Sequence, residues 1–366
     1  MKHIQLLVAL ATGLVTSAAM AEVTVYGIVD TGVEWLSHSN AAGQSVSKIP
    51  GLGGSLPSRV GFKGSEDLGG GLRAIFQLEN GFSPDTGAMN QGGRLFGRQA
   101  YVGLASDAWG AVTVGRLYDM TYLVQAKADT FGGNLYSIGS LDGYLPNART
   151  DNALGYMGTF GPWTLGATYS FGRDASPAGA SGPSGVAPAT NCPGEKAGDA
   201  QACRQTTMMV DYDRKSYGIA ASYDVLHGGA GELNGLASSN FKDRRTALMA
   251  FVVWGTTRIG TGVIDRKTTK LLDGGSTIYF LGASYPLTPQ VTLDAQVSRI
   301  SIKNSPNAAT MILARATYYL SKRTSVYLMG GRIGNTGTSA LSIDAGSVAG
   351  PGLSQVGAMT GVRVLF

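Results

Sequence analysis

Past residue 21 the sequence has no long apolar run; the longest is Ala247 to Trp254. A helix that crosses a bilayer needs about 20 such residues, so no helical span is predicted. Histidine is scarce, and only His38 and His227 lie beyond residue 21, both in predicted loops. No G-x-S-x-G, P-loop or metal-binding motif occurs, which removes the common signatures of hydrolases, nucleotide binders and metalloenzymes. No catalytic residue, metal or cofactor is therefore expected. Charge is sparse at 14%, and the formal balance of +5 falls to +4 if Lys2 is removed with a leader. No nucleic-acid partner is expected. Cysteine is limited to Cys192 and Cys203.

Glycine is abundant, at 54 of 366 residues, and short stretches alternate apolar with polar side chains. In Thr164 to Phe171, Leu165, Ala167, Tyr169 and Phe171 oppose Thr164, Gly166, Thr168 and Ser170. Ser216 to Val225 and Val291 to Ser298 repeat the pattern. A strand's side chains alternate with period two. Such strands suit a sandwich with its apolar face inside, or a membrane barrel with its apolar face in lipid. A spanning strand needs only about 9 to 11 residues. Tyr169, Phe171, Tyr217 and Tyr223 sit near strand ends on the apolar face, where a barrel carries its aromatic girdle.

Residues 1–21 read as a secretory signal peptide, leaving 22–366 as a single barrel domain. Lys2 and His3 form the positive start, Ile4 to Val15 is mostly apolar, and Ala19-Met20-Ala21 is a small-x-small cleavage site. Seven short connections, such as Asp67 to Gly70 and Gly161-Pro162, alternate with eight longer ones rich in Gly, Ser, Asn and Pro. The longer ones fall near 38–56, 82–93, 117–148, 173–205, 227–240, 271–276, 303–308 and 334–354. That rhythm predicts an all-β, antiparallel barrel of about 16 strands, an even number as bacterial barrels require. The chain ends on an alternating segment, Gly357 to Phe366, with Phe366, Val364 and Val362 on one side and Leu365, Arg363 and Gly361 on the other. A last strand of that kind closes a barrel against the first, near Val23.

The run SRVGFKGSEDLGGGLRAIFQLE, Ser58 to Glu79, resembles the second hairpin of the trimeric general porins of Gram-negative outer membranes. Val23 to Gly27, Arg98 to Leu104, Trp109-Gly110 with Gly115-Arg116, and Gly361 to Phe366 are similar to other parts of that family. The resemblance implies a 16-stranded homotrimeric barrel in outer-membrane lipid and lipopolysaccharide. It implies passive diffusion of small hydrophilic solutes. It also implies an inward-folded third long loop, here Leu117 to Ala148, holding Asp119, Asp129 and Asp142 and the element Asp129-Thr130-Phe131-Gly132-Gly133.

By the same resemblance Arg59, Arg98 and Arg149 match the basic positions of the constriction and Glu79 a wall acid, with Arg116 placed beside them. Arg363 and Phe366 match the terminal signal read by the assembly machinery. Parity puts Arg59, Glu79 and Arg149 on polar faces. It puts Arg98 with Ala100, Val102 and Leu104, facing lipid. A mid-membrane charge there costs about 2–4 kcal/mol, so a β-bulge is expected at Arg98. Basic residues at a neck favour anions, so mild anion selectivity is expected. Export through the periplasm predicts a Cys192–Cys203 disulfide. The alternatives are a solute-specific channel and a surface adhesin built on the same barrel.

Overall fold

The computed structural model describes residues 22–132, 135–172, 192, 194–230, 235–269 and 274–366. The predicted signal peptide, the whole 173–191 stretch and Gly133 lie outside the described residues. Among the described residues seventeen strands form one antiparallel sheet. They are β1 (Glu22–Leu36), β2 (Val46–Lys48), β3 (Arg59–Gly69), β4 (Leu72–Gly81), β5 (Gln99–Ser106), β6 (Gly110–Tyr118), β7 (Arg149–Phe160), β8 (Trp163–Ser170) and β9 (Gln205–Asp213). The others are β10 (Tyr217–His227), β11 (Lys242–Trp254), β12 (Thr257–Thr269), β13 (Gly274–Thr288), β14 (Val291–Ile302), β15 (Ala308–Tyr319), β16 (Thr324–Thr336) and β17 (Gln355–Leu365). The three-residue β2 belongs to the first long connection, which leaves sixteen wall strands.

β1 closes the wall by serving two neighbours in succession. Glu22 to Ile28 pair with β3, and Ile28 to Leu36 pair with β17. Beyond β17, Phe366 and Gly27 exchange backbone hydrogen bonds of 3.1 and 3.0 Å. The Phe366 ring lies over Gly27, where a Cβ would come within 2.2 Å of Cζ. Among the described residues closure leaves no wall strand without two neighbours, which a membrane requires of any sheet.

The register separates two sets of rows. Leu281, Val297 and Ile312 are paired across β13–β15 and are 52%, 42% and 60% exposed, so they form the lipid-facing surface. The residues beside them face inward, among them Ile278, Ile300 and Met311, and these are buried. What buries them is the connection between β6 and β7. Its short helix, Met120–Gln125, and the following residues Ala128, Phe131, Leu135, Ile138 and Leu145 join Met249, Ile264, Ile278 and Met311 in one apolar cluster. The apolar inner face of Ala247 to Trp254 is thereby explained, because Met249 packs beneath this loop. The backbone approach is close: a Cβ on Gly260 of β12 would lie 2.1 Å from the Ala128 carbonyl oxygen.

Candidate pore constriction

On the inner face of β1 to β7, basic and phenolic side chains interlock. Paired residues put Tyr26, Gly61, Glu79 and Gln99 in one inward row, and Lys63, Gln77, Tyr101 and Gly115 in the next. Arg98 Nε donates to Glu79 Oε1 at 2.6 Å, and Arg59 Nε lies 3.7 Å from Oε2. Tyr26 donates to Glu79 Oε2 at 2.8 Å and accepts from Gln77 at 2.5 Å; Tyr101 donates to Gln77 at 2.9 Å. Arg98 also donates to the Tyr118 hydroxyl at 2.6 Å, and Arg149 approaches that hydroxyl at 3.4 Å. The Tyr118 and Tyr122 rings stack at 4.1 Å, and the Arg149 guanidinium stands over both, 4.8 and 5.8 Å from their centres. Burial, reinforced by Tyr118, pushes the Tyr122 phenol above its ordinary value, so it stays neutral.

Two guanidinium groups, Arg98 and Arg59, thus share one carboxylate, and a third, Arg149, joins them through the Tyr118 hydroxyl. They are not equally accessible: Arg98 and Arg149 are buried behind the tyrosines, whereas the Arg59 side chain is 23% exposed. Lys63, with its ammonium 5.7 Å from the Tyr26 ring centre, is exposed as well. The cations within reach of a solute are therefore Arg59 and Lys63, with the other two supplying field through a region of low dielectric.

Arg98 reaches this cluster without a bulge. β4 and β5 pair without a break, Glu79 opposite Gln99. Arg98 lies one residue before β5 in a bend, with its N–H on the Glu79 carbonyl at 3.0 Å. Outside the strand, alternation no longer governs it. The irregularity falls in β7 instead, where Gly115 and Leu117 pair with Ala153 and Thr150 and Asn152 adopts φ 48°.

Arg116 stands elsewhere. It pairs with Ala100, which pairs with Leu78, which pairs with Phe62, so it belongs to an outward row. There it bonds Asp151 and donates to the Gly97 carbonyl at 2.8 Å, while Arg94 meets Asp151 at 2.9 Å. Asn80, also outward, donates to the Leu95 carbonyl at 2.5 Å. The segment 94–97 thus folds down over the outside of the barrel.

The three loop acids do not face the open lumen. Asp142 is 1% exposed and accepts from Arg245, which also bonds Asp243; Asp243 in turn binds Arg266 at 2.8 Å. Asp119 caps the helix Met120–Gln125 by accepting from Tyr122 N at 2.8 Å, and the Tyr144 hydroxyl lies 2.5 Å from its other oxygen and against Asp224. Asp129 accepts from Gln296 at 2.9 Å, and Gln296 accepts from Thr130 N at 3.1 Å. Asp142 and Asp129 pin the loop to the wall directly, and Asp119 does so through Tyr144 and its contact with Asp224. The expected acidic partner across the neck is therefore missing from these three residues.

Sequence reasoning passed over Lys63 and the tyrosines as site residues. Parity alone would have placed Tyr26 and Tyr101 in the inward rows, whereas Tyr118 ends β6 and Tyr122 lies in the helix that follows, so no single period links them. It also passed over Lys127, which ties the loop to Asp211 at 2.5 Å and Asp213 at 2.7 Å. Burial lowers the Lys127 pKa, but the two aspartates more than offset this and hold it above the usual lysine value. Arg363, at its inward position opposite Asp30, donates to Ser55 at 3.0 Å. Cys192 and Cys203 are joined in a disulfide.

Residues 7–338 match the family model described as Gram-negative porin. The chain is 30% identical to outer membrane porin protein 32 of Delftia acidovorans, over 98% of this chain and 99% of that one. It is 33% identical to an outer membrane porin protein of Bordetella pertussis, over 64% of this chain and 62% of that protein's length. The anion-selective porin from Comamonas acidovorans superposes with a TM-score of 0.76 at 25% identity, covering 94% of this chain and 100% of that one.

Proposed function

The chain belongs to the Gram-negative porin family, and from that premise we propose that it forms a water-filled outer-membrane channel for passive diffusion of small hydrophilic solutes, with a preference for anions. The observation that carries the preference is the asymmetry of the constriction. Arg59 and Lys63 are open to the lumen and backed by Arg98 and Arg149, while Asp119, Asp129 and Asp142 are turned into loop–wall bonds. Basic rings lower the barrier for anions. The porin from Comamonas acidovorans that shares this fold is itself anion-selective, which supports the same reading here. Transport of this kind needs no catalytic step, and no enzymatic role is assigned.

The partners follow from the outer surface. Asp151, Arg116 and Asn80 lie on outward positions of the β4–β7 wall, and Arg94 of the overlying segment 94–97 meets them there. Charges facing mid-membrane lipid cost about 2–4 kcal/mol each, so this stretch suits contact with another copy in a homotrimer. At the long-loop rim, Arg244, Lys267 and Arg299 point outward, where they suit the phosphates of lipopolysaccharide. Residues 1–21 suit an export signal, and Phe366 a recognition element for the assembly machinery. Reversal potentials across a planar bilayer under a salt gradient test the central reading: anion preference supports it, and cation preference removes it. Liposome swelling against sugars and charged solutes separates general diffusion from a solute-specific channel, and a closed barrel without conductance would favour an adhesin.

A further inference from the structure

The wall of an aqueous channel is polar, yet one stretch of this lumen is not. Towards the short turns, below Tyr118, inward positions carry Ile75, Ala111 and Met157, and Leu117 and Leu123 pack towards them. Together they line a cavity of about 200 Å³. Met157 is 37% exposed, so the cavity is open rather than filled by the loop. Its polar groups are Gln99, Tyr101 and Tyr118 at the edge and Thr113 and Thr168 on the wall. That edge is already wired to the basic wall: Tyr118 holds Arg98 at 2.6 Å, and Tyr101 donates to Gln77, the cross-strand partner of Lys63. Lys63 and Tyr101 share a row two strands apart, roughly 10 Å by strand spacing.

We infer that this cavity is a binding subsite for small amphiphilic monocarboxylates, which place an apolar tail against Ile75, Leu123 and Met157 and the carboxylate toward Lys63 and Arg59. Ile75 lies two residues along β4 from Gln77, the cross-strand partner of Lys63, so the near wall of the cavity and the Lys63 ammonium lie within reach of a six-carbon acid. A purely aqueous neck gains nothing from apolar side chains in contact with water, whereas a solute with a tail recovers the free energy of removing that surface from water. A carboxylate fits the other end because Glu79 is already held by Arg98 and Arg59, leaving the net charge of the wall positive. The inference rests on the anion preference proposed above.

The test is single-channel block of the full-length protein in a chloride background by acetate, butanoate and hexanoate. The expected result is an affinity that rises about fourfold per methylene between butanoate and hexanoate, with neutral hexanamide blocking far more weakly. Met157→Gln and Ile75→Thr, both on the lumen face, are each expected to flatten the series. A flat series in the unmodified channel overturns the subsite, and so does a slope that both variants leave intact. Chloride selectivity recorded in the same bilayers reports on the basic wall separately. Cation preference there removes the underlying reading, while a flat series with anion preference retained removes only the cavity.

Discussion

Asp142 and Arg245 meet at 3.1 Å, with both side chains at most 2% exposed, at the contact between the third long loop and β11. The pair is one strut of a set that ties the loop to the barrel wall. Removing one member of a buried pair costs about 3–5 kcal/mol, because the other charge remains buried. Asp142→Asn is expected to approach that loss, moderated by Asp243, which also bonds Arg245. A fall in the midpoint of denaturant unfolding and noisier single-channel current would register it; an unchanged midpoint and quiet current would contradict the strut.

Gly260 is set by contact. Any Cβ there meets the Ala128 carbonyl at 2.1 Å, and the obstacle is backbone. Gly260→Leu is therefore expected to push the loop from β12 and change the open-channel conductance. The outward side of the same strand offers the control: Val263→Leu, paired with Leu248 on the lipid face, should leave conductance as it is.

Lys127 supplies a pH dependence whose sign can be worked out. Its folded pKa is raised, by Asp211 and Asp213 acting against burial. A raised pKa contributes stability that is fully present below the unfolded value, about 10.4, and is lost as pH rises through the higher folded value. Loop anchoring at this point should thus persist to about pH 10 and weaken above it. Lys127 is about one-third exposed, so the effect is small. Comparing current noise with pH in the unmodified channel and in Lys127→Met would detect it, and identical profiles would exclude Lys127 as the titrating group.

The disulfide closes a loop of sequence separation 11. The chain-entropy model gives about 3 kcal/mol for a loop of that size. Reduction should lower the unfolding midpoint while leaving ion selectivity unchanged, since the bridge lies apart from Arg59 and Lys63. A selectivity change on reduction would place this loop in the conduction path.

Much of the barrel was legible because alternation and turn residues are local signals. Val362 and Val364 are exposed to the outside and Arg363 faces inward, as period two requires. The connections fell near their predicted places, although β13 begins at Gly274 and β16 runs to Thr336, inside the predicted loops, because ladder pairing continues there. The neck was harder to read. Arg98 lies in a bend, where parity has no force. Arg116 carries a family motif but obeys parity, which sends it outward. The destinations of Asp119, Asp129 and Asp142 depend on Tyr144, Gln296 and Arg245, which lie far from them along the chain or inside an irregular loop. No local pattern encodes such contacts.

The most direct test of the basic constriction is the zero-current potential of the purified channel across a salt gradient, for the unmodified protein, Arg59→Glu and Asp129→Asn. At low ionic strength, where screening is weak, the unmodified channel should favour anions. Arg59→Glu should move the potential toward cation preference, and Asp129→Asn should leave it nearly unchanged, because Asp129 is bonded to Gln296 rather than turned to the lumen. A cation-selective unmodified channel, or a potential that Arg59→Glu does not move, would contradict it.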